Sequence, residues 1–162
     1  MSVSEEIRVV GFSPSLAADF ARLNYEWIDR YFEIEPHDIE LLDSPYENII
    51  EHGGEIFFAM VNETPAGTAA MIRIDGHRFE LAKMAVSPAF QGKGIANLLI
   101  DACIEFARSN SARTIFLETN AKLTAAMGLY RKYGFVEISL DPDSFYTRVN
   151  VRMELAINQS NM

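Results

Sequence analysis

Apolar side chains recur at helical spacing through the early part of the chain, with Leu16, Phe20, Leu23, Trp27 and Tyr31 marking one face. Ser13-Pro14 precedes that face and suits a helix start, because Ser can cap orphan amides and Pro tolerates the first helical position. Trp27 is accordingly expected in the core. A short apolar strand near Ile7 to Val10 comes first, and a second helical stretch surrounds Asp38 to Leu42. A third helix begins near Ser44-Pro45 and is ended by Gly53-Gly54.

After those glycines the pattern becomes that of a sheet. Glu55 to Val61 reads as a buried strand, Asn62 to Gly67 as its turn, Thr68 to Ile74 as a second strand, and Asp75-Gly76 as a hairpin signal before a strand from Arg78 to Val86. These three strands predict an antiparallel meander. Ser87-Pro88 and the loop Gln91-Gly92-Lys93-Gly94 then open a helix from about Ile95 to Ser109, followed by a strand from Thr114 to Thr119. Leu123 to Tyr133 has helical composition, with Gly134 and Phe135 fitting a left-handed cap. Two strands near Phe135 to Ser139 and Arg148 to Ile157 complete the pattern, and the polar tail 158–162 is expected to fray. The length of 162 residues suits one domain over 1–157, of α/β (α+β) class.

Charge changes the picture by its placement. Up to Glu55 there are thirteen acidic and three basic residues, whereas the remainder carries ten and eleven, so the net −9 is an N-terminal property. Nucleic acid is therefore not an expected partner, since binding it needs clustered Lys and Arg, while a cationic partner is allowed. The longest apolar run, Ile56 to Val61, is far below the roughly 20 residues of a membrane span. The acidic start Glu5-Glu6 does not resemble a secretory signal, and a cytoplasmic location is the expectation. Cys103, the one cysteine, lies on an apolar helix face and reads as a core residue. His37, His52 and His77 are scattered without ligand spacing, so no metal is expected.

A loop that leaves a strand and becomes a helix N-terminus presents unpaired amides and about half a positive charge, which suits an anion. Gly92 and Gly94 permit close approach, and Leu81 to Ile100 contains no Asp or Glu but does contain Lys83 and Lys93. At physiological salt, where screening sets in beyond roughly 8 Å, that local positive charge outweighs the global negative one. The loop is not a Walker motif, because Gly94 follows Lys93, nor a dinucleotide fingerprint, because Asn97 stands at the third glycine.

The run Glu80-Leu81-Ala82-Lys83-Met84-Ala85-Val86-Ser87-Pro88 followed by Gln91-Gly92-Lys93-Gly94-Ile95-Ala96 resembles the acyl-CoA signature of the GNAT N-acetyltransferase superfamily. A second block agrees, comprising Leu117-Glu118-Thr119-Asn120, Ala125-Ala126 and Leu129 to Phe135. The resemblance implies a GNAT fold: a mixed, mostly antiparallel central sheet splayed between its fourth and fifth strands, flanked by helices, with acetyl-CoA as co-substrate in the opening. It further implies that the backbone of Met84, Ala85 and Val86 pairs with the pantetheine arm. Gln91, Gly92, Lys93, Gly94, Ile95, Ala96 and Asn97 form the segment that holds the pyrophosphate, its amides from Gly92 onward making the contacts. Many relatives carry an Asn where Leu123 stands, so Asn120 is the substitute for a polar contact to the cofactor.

Acetyl transfer to an amine needs a neutral nitrogen, donors for the developing oxyanion and a proton for the departing thiolate. By the resemblance Tyr130 is the general acid, and Glu80 or Glu118 the general base, with Glu80 preferred and water alone an alternative. The plainer reading of each carboxylate is a solvated or salt-bridged side chain. The implied activity is transfer of acetyl from acetyl-CoA to a primary amine of a small molecule, for which the acidic N-terminal half allows a cationic acceptor, by direct attack in a ternary complex. Its alternatives are a protein N-terminal or lysine acetyltransferase and a non-catalytic acyl-CoA-binding module. Pairing as a homodimer is an expectation of the family.

Overall fold

In the computed structural model, which describes residues 5–158, seven strands form one sheet in the order β1-β2-β3-β4-β5-β7-β6. The strands are β1 (Ile7–Val10), β2 (Glu55–Val61), β3 (Thr64–Arg73), β4 (Arg78–Val86), β5 (Thr114–Thr119), β6 (Val136–Ile138) and β7 (Val151–Ala156). Helices α1 (Ala17–Tyr31) and α2 (Pro36–Asp43) precede β2, α3 (Ile95–Ser109) joins β4 to β5, and α4 (Thr124–Lys132) follows β5. All neighbours are antiparallel except β4 and β5, which α3 links as a parallel pair. A parallel pair requires such a crossover.

The alternation of side chains assigns the helices to opposite faces of the sheet. Along β2, Ile56, Phe58 and Met60 pack with Phe20, Ile28, Leu41 and Leu42 of α1 and α2, while Phe57, Ala59 and Val61 pack with the cluster of α3 and α4. Period two therefore yields two cores, one beneath each helical layer. On β4, Phe79 and Leu81 belong to the α3–α4 side, so Glu80 and Ala82 face α1 and α2. On β5, Ile115 and Leu117 likewise take the α3–α4 side, which turns Phe116 and Glu118 toward α1 and α2.

Gly67 permits a close approach of α3 to the sheet. A Cβ at that position would lie 2.8 Å from Ile95 Cγ2, so only glycine lets α3 seat its first turn on β3. Cys103 is fully buried in this layer, as its helix-face pattern predicts.

Several local expectations are corrected. The turn expected over Asn62 to Gly67 is a two-residue turn, and β3 begins at Thr64. Asn62 takes φ +54° there, and it exchanges backbone and side-chain hydrogen bonds with Glu6 at 2.7 and 3.1 Å. The third helix is a single π turn over 46–50, closed by Glu51 N–H donating to the Tyr46 carbonyl at 2.9 Å. Trp27 is half-buried at a cavity rather than in the core. The last strand starts at Val151, not Arg148, because the Arg148 guanidinium is drawn to α2. The expected fraying of 158–162 falls outside the described residues except for Asn158.

That attraction fixes the connection between β6 and β7. Arg148 donates to Asp38 Oδ1 and Oδ2 at 2.6 and 2.8 Å and to Glu35 Oε2 at 3.2 Å. The Thr147 amide donates to Glu35 Oε1 at 2.9 Å. Asp38 also accepts from the Glu35 amide at 2.8 Å, capping α2, and pairs with the Lys83 ammonium. Burial works against its charge, but the Arg148 hydrogen bonds and the Lys83 charge outweigh it and hold the carboxyl down at about 2.

Removing one member of a buried ion group leaves the others uncompensated, typically at a cost of about 3–5 kcal/mol. Asp38→Asn is therefore expected to lower the urea midpoint near neutral pH, with a loss of unfolding free energy of that size. The contribution of the carboxylate is present above its ordinary pKa and is lost as pH falls through about 2, so the two proteins should converge in strong acid. Equal midpoints at pH 7 would show that Asp38 does not hold this connection.

Candidate active site

β4 and β5 pair over only three positions, Arg78 with Thr114, Phe79 with Ile115 and Glu80 with Phe116. Beyond them the strands part. Between Leu81 and Val86 the β5-facing edge of β4 has no strand beside it, which leaves backbone donors and acceptors available inside the gap. A bulge helps turn the strand away: Thr68 opposes Ala85 and Ala70 opposes Ala82, so β4 holds one extra residue. Within it Lys83 adopts φ +55°, an uncommon conformation for a residue with a side chain.

The gap widens into a cavity of about 430 Å³ that reaches both faces of the sheet. On the α3–α4 side its lining includes Met84, Gln91, Gly92, Gly94, Ala96 and Asn97. Ile95, Asn120 and Tyr130 line it as well, whereas Ala85 is buried and neither it nor Lys93 is among the lining residues. On the α1–α2 side lie Trp27, Phe32, Glu80, Glu118, Tyr146 and Arg148.

Gly92 and Gly94 take φ +81° and +77°, the second as the N-cap of α3, and a Cβ on either would meet no protein atom within 4 Å. The first turn of α3 contains no acid and has no side-chain cap, so its leading amides face the mouth of the cavity. This geometry fits a diphosphate. The supposed lysine contribution needs correction: the Lys83 ammonium is spent on Asp38 and on Tyr146 Oη at 3.0 Å, and Lys93 pairs with Glu5 at 2.8 Å. Anion attraction at the loop therefore rests on amides and the helix dipole, with only an exposed Lys93 pair nearby, of the kind worth little.

Asn120 donates to the Arg148 carbonyl at 2.8 Å and accepts from the Lys122 amide at 2.9 Å. Its amide thus ties the end of β5 to the segment before β7. Tyr130 packs edge-on against Phe135 at 5.9 Å. Its hydroxyl has no hydrogen-bond partner among the described residues and belongs to the cavity wall. Burial, with a smaller influence of Cys103, pushes this phenol up to about 12, so it is protonated throughout the neutral range.

The two carboxylates share a face of the sheet but differ in their partners. Glu118 accepts from Ser144 Oγ at 3.0 Å and from Arg152 Nη1 at 3.4 Å, the latter lying directly across the β5–β7 ladder. Glu80 has no hydrogen bond or ion pair among the described residues. Burial, reinforced by the negative Glu118 and opposed by Lys83 and Arg152, raises its carboxyl from the ordinary range to about 7.

Lys83, Arg148, Tyr146, Asp38 and Glu35 form a polar wall behind Glu80 that the sequence did not single out. The Tyr146 ring lies under both cations, 4.5 Å from Lys83 Nζ and 4.4 Å from the Arg148 guanidinium carbon. Its phenol is held well above the usual range by burial and by the nearby Asp38 and Glu80 charges. The one hint in the sequence was Lys83 itself, a cation among the apolar residues of the second half of β4. Among the described residues no three metal-ligating side chains come together, and no helix is long and apolar enough to cross a membrane.

Comparison with known proteins adds independent evidence. Residues 21–135 match the profile of the acetyltransferase (GNAT) family. The uncharacterized N-acetyltransferase YvbK of Bacillus subtilis is 29% identical over 114 residues, covering 68% of this chain and 74% of the relative. The N-alpha-acetyltransferase RimI of Mycobacterium tuberculosis is 33% identical over 75 residues, 46% of each chain, and the chain likewise spans 46% of the Bacillus subtilis relative YobR, at 32% identity over 70% of this chain. Among solved structures, a GNAT-family acetyltransferase from Staphylococcus aureus superposes with a TM-score of 0.86 at 23% identity, covering 94% of this chain and all of the other. YncA of Salmonella typhimurium, solved with acetyl-CoA, has a TM-score of 0.75 at 19% identity, covering 96% of each. With 115 of its 162 residues inside the family profile, and with a sheet opened between β4 and β5, the chain belongs to the GNAT acetyltransferase family.

Proposed function

We propose that this protein transfers the acetyl group of acetyl-CoA to a primary amine of a small molecule, by direct attack while both are bound. The observation that carries the reading is Glu80, a carboxylate without a partner among the described residues, facing the gap from the α1–α2 side while the glycine loop and Tyr130 face it from the other. A proton acceptor and a proton donor thus stand on opposite sides of one opening.

The cradle for acetyl-CoA is the open β4 edge from Met84 to Val86 together with the amides from Gly92 to Asn97. What the co-substrate supplies is an activated acetyl group on a good leaving thiol. An alkyl amine has a pKa near 10.4 by analogy with Lys and arrives protonated, so its nitrogen becomes nucleophilic only after losing a proton. Glu80, with a pKa near neutrality and no competing hydrogen bond, is suited to take that proton. Glu118 is already engaged by Arg152 and Ser144, and its charge acts mainly by keeping Glu80 basic. A backbone amide near Val86 suits the developing oxyanion, a role typically worth about 3 kcal/mol.

Tyr130 serves the leaving sulfur. Taking Cys as a proxy for the thiol, proton transfer from a phenol of pKa about 12 to a thiolate near 8.5 is uphill by about 5 kcal/mol. Its contribution is therefore a hydrogen bond to the departing sulfur rather than full ionisation before bond cleavage.

Two substitutions test these roles. In the wild type kcat/KM should rise with pH through about 7 and then level. Glu80→Gln should lower it about 10²-fold to 10⁴-fold and move the rising limb toward the pKa of the amine. A limb still near 7 in the variant would remove Glu80 as the base. Tyr130→Phe should lower kcat by a similar factor with the acetyl-CoA KM nearly unchanged, and unfolding should be little affected, since no protein hydrogen bond is lost. An unaltered kcat would take Tyr130 out of the reaction.

A further inference from the structure

On the α1–α2 side of the cavity every charged lining side chain but one has an oppositely charged partner. Lys83 is matched by Asp38, Arg148 by Asp38 and Glu35, and Arg152 by Glu118 at 3.4 Å and Asp141 at 3.5 Å. Both cations that line the cavity, Lys83 and Arg148, are thus satisfied by the chain, and Glu80 is the lining carboxylate left without a partner among the described residues. Two of the aromatic rings are spoken for as well: Tyr146 lies against Lys83 and Arg148, and Phe32 has Lys122 Nζ 4.2 Å from its ring centre. What remains uncommitted along this wall is apolar, from Trp27, Ile28 and Val149.

Building on the transfer reading above, we infer that the acceptor is a primary monoamine carried on an apolar body, and that free α-amino acids are rejected by the charge of their carboxylate. The ammonium meets the single unmatched carboxylate, Glu80, and no second unmatched acid waits to receive another cation. An α-carboxylate would sit one carbon from the nitrogen, beside Glu80 and Glu118. Among the described residues that line the cavity no cation lacks an acid partner to receive it, unless Lys83 or Arg148 abandons Asp38, which is fully buried. Burying an uncompensated charge next to like charges is how a site excludes an analogue of the right shape. Asp38 has a second part in this selection. Together with Glu35 it offsets Lys83 and Arg148 and converts a basic wall into a neutral one.

Three compounds of nearly the same size separate charge from shape: 2-phenylethylamine, phenylalaninamide and phenylalanine, with spermidine as a polycation. Each is offered to the full chain with acetyl-CoA, and free thiol release gives kcat/KM. Phenylethylamine and phenylalaninamide should be acetylated, and phenylalanine should be worse than its amide by on the order of 100-fold or more. Spermidine should not exceed phenylethylamine. If phenylalanine matches its amide, or spermidine is the better substrate, this inference falls while the transfer reading stands. Thiol release with none of the four, in protein that binds acetyl-CoA by calorimetry, would overturn both.

Discussion

The separation of β4 from β5 after three residue pairs is the constraint on which the site depends. Had the parallel ladder continued to Val86, the sheet would be closed and its two helical layers would share no cavity. Instead an extra residue in β4 bends the strand, and the residue in the bulge, Lys83, is held at positive φ by the partners of its ammonium, Asp38 and Tyr146. A strained backbone persists where its surroundings over-determine it. Here the surroundings are a buried ion group that also caps α2 and anchors residues 147 and 148. One set of charges therefore maintains the opening and builds a wall beside it.

The same electrostatics separate the roles of two carboxylates on one face of the sheet. Glu118 has Arg152 opposite it on β7, whose guanidinium also lies 4.2 Å over the Phe116 ring. Glu80 is two positions away across the β4–β5 ladder and has no such neighbour. Burial, with the charge of the paired acid beside it, pushes the unpaired one toward neutrality, which is the condition a base needs to work near neutral pH. On the other face, the loop proposed to hold the diphosphate offers backbone amides alone. Side chains there would obstruct, and the two left-handed glycines remove them.

Much of the architecture was legible in the sequence because it is local. The unbroken apolar run from Ile56 to Val61 located β2, the Asp75-Gly76 signal located the hairpin and the start of β4, and the glycine loop located the start of α3. Fully apolar stretches such as Ile115 to Leu117 were equally clear. Where the reading went astray, a distant partner decided the outcome. Asn62 turns early because Glu6 is beside it, and Arg148 leaves the strand pattern because Asp38 lies 110 positions away in sequence. The residues of the anion loop could be named from spacing, but the fate of Lys83 and Lys93 could not, since their partners are 45 and 88 positions distant. Trp27 looked like core for a similar reason: helical periodicity identifies the inward face of α1 but not that the sheet beneath it is open.

A crystal structure with acetyl-CoA soaked into the protein tests the opening most directly. The expected result has the diphosphate on the amides of residues 92–97, the pantetheine arm along the free edge of β4, and the thioester between Glu80 and the Tyr130 hydroxyl. A diphosphate bound elsewhere, or a thioester that stops short of the gap between β4 and β5, would contradict it.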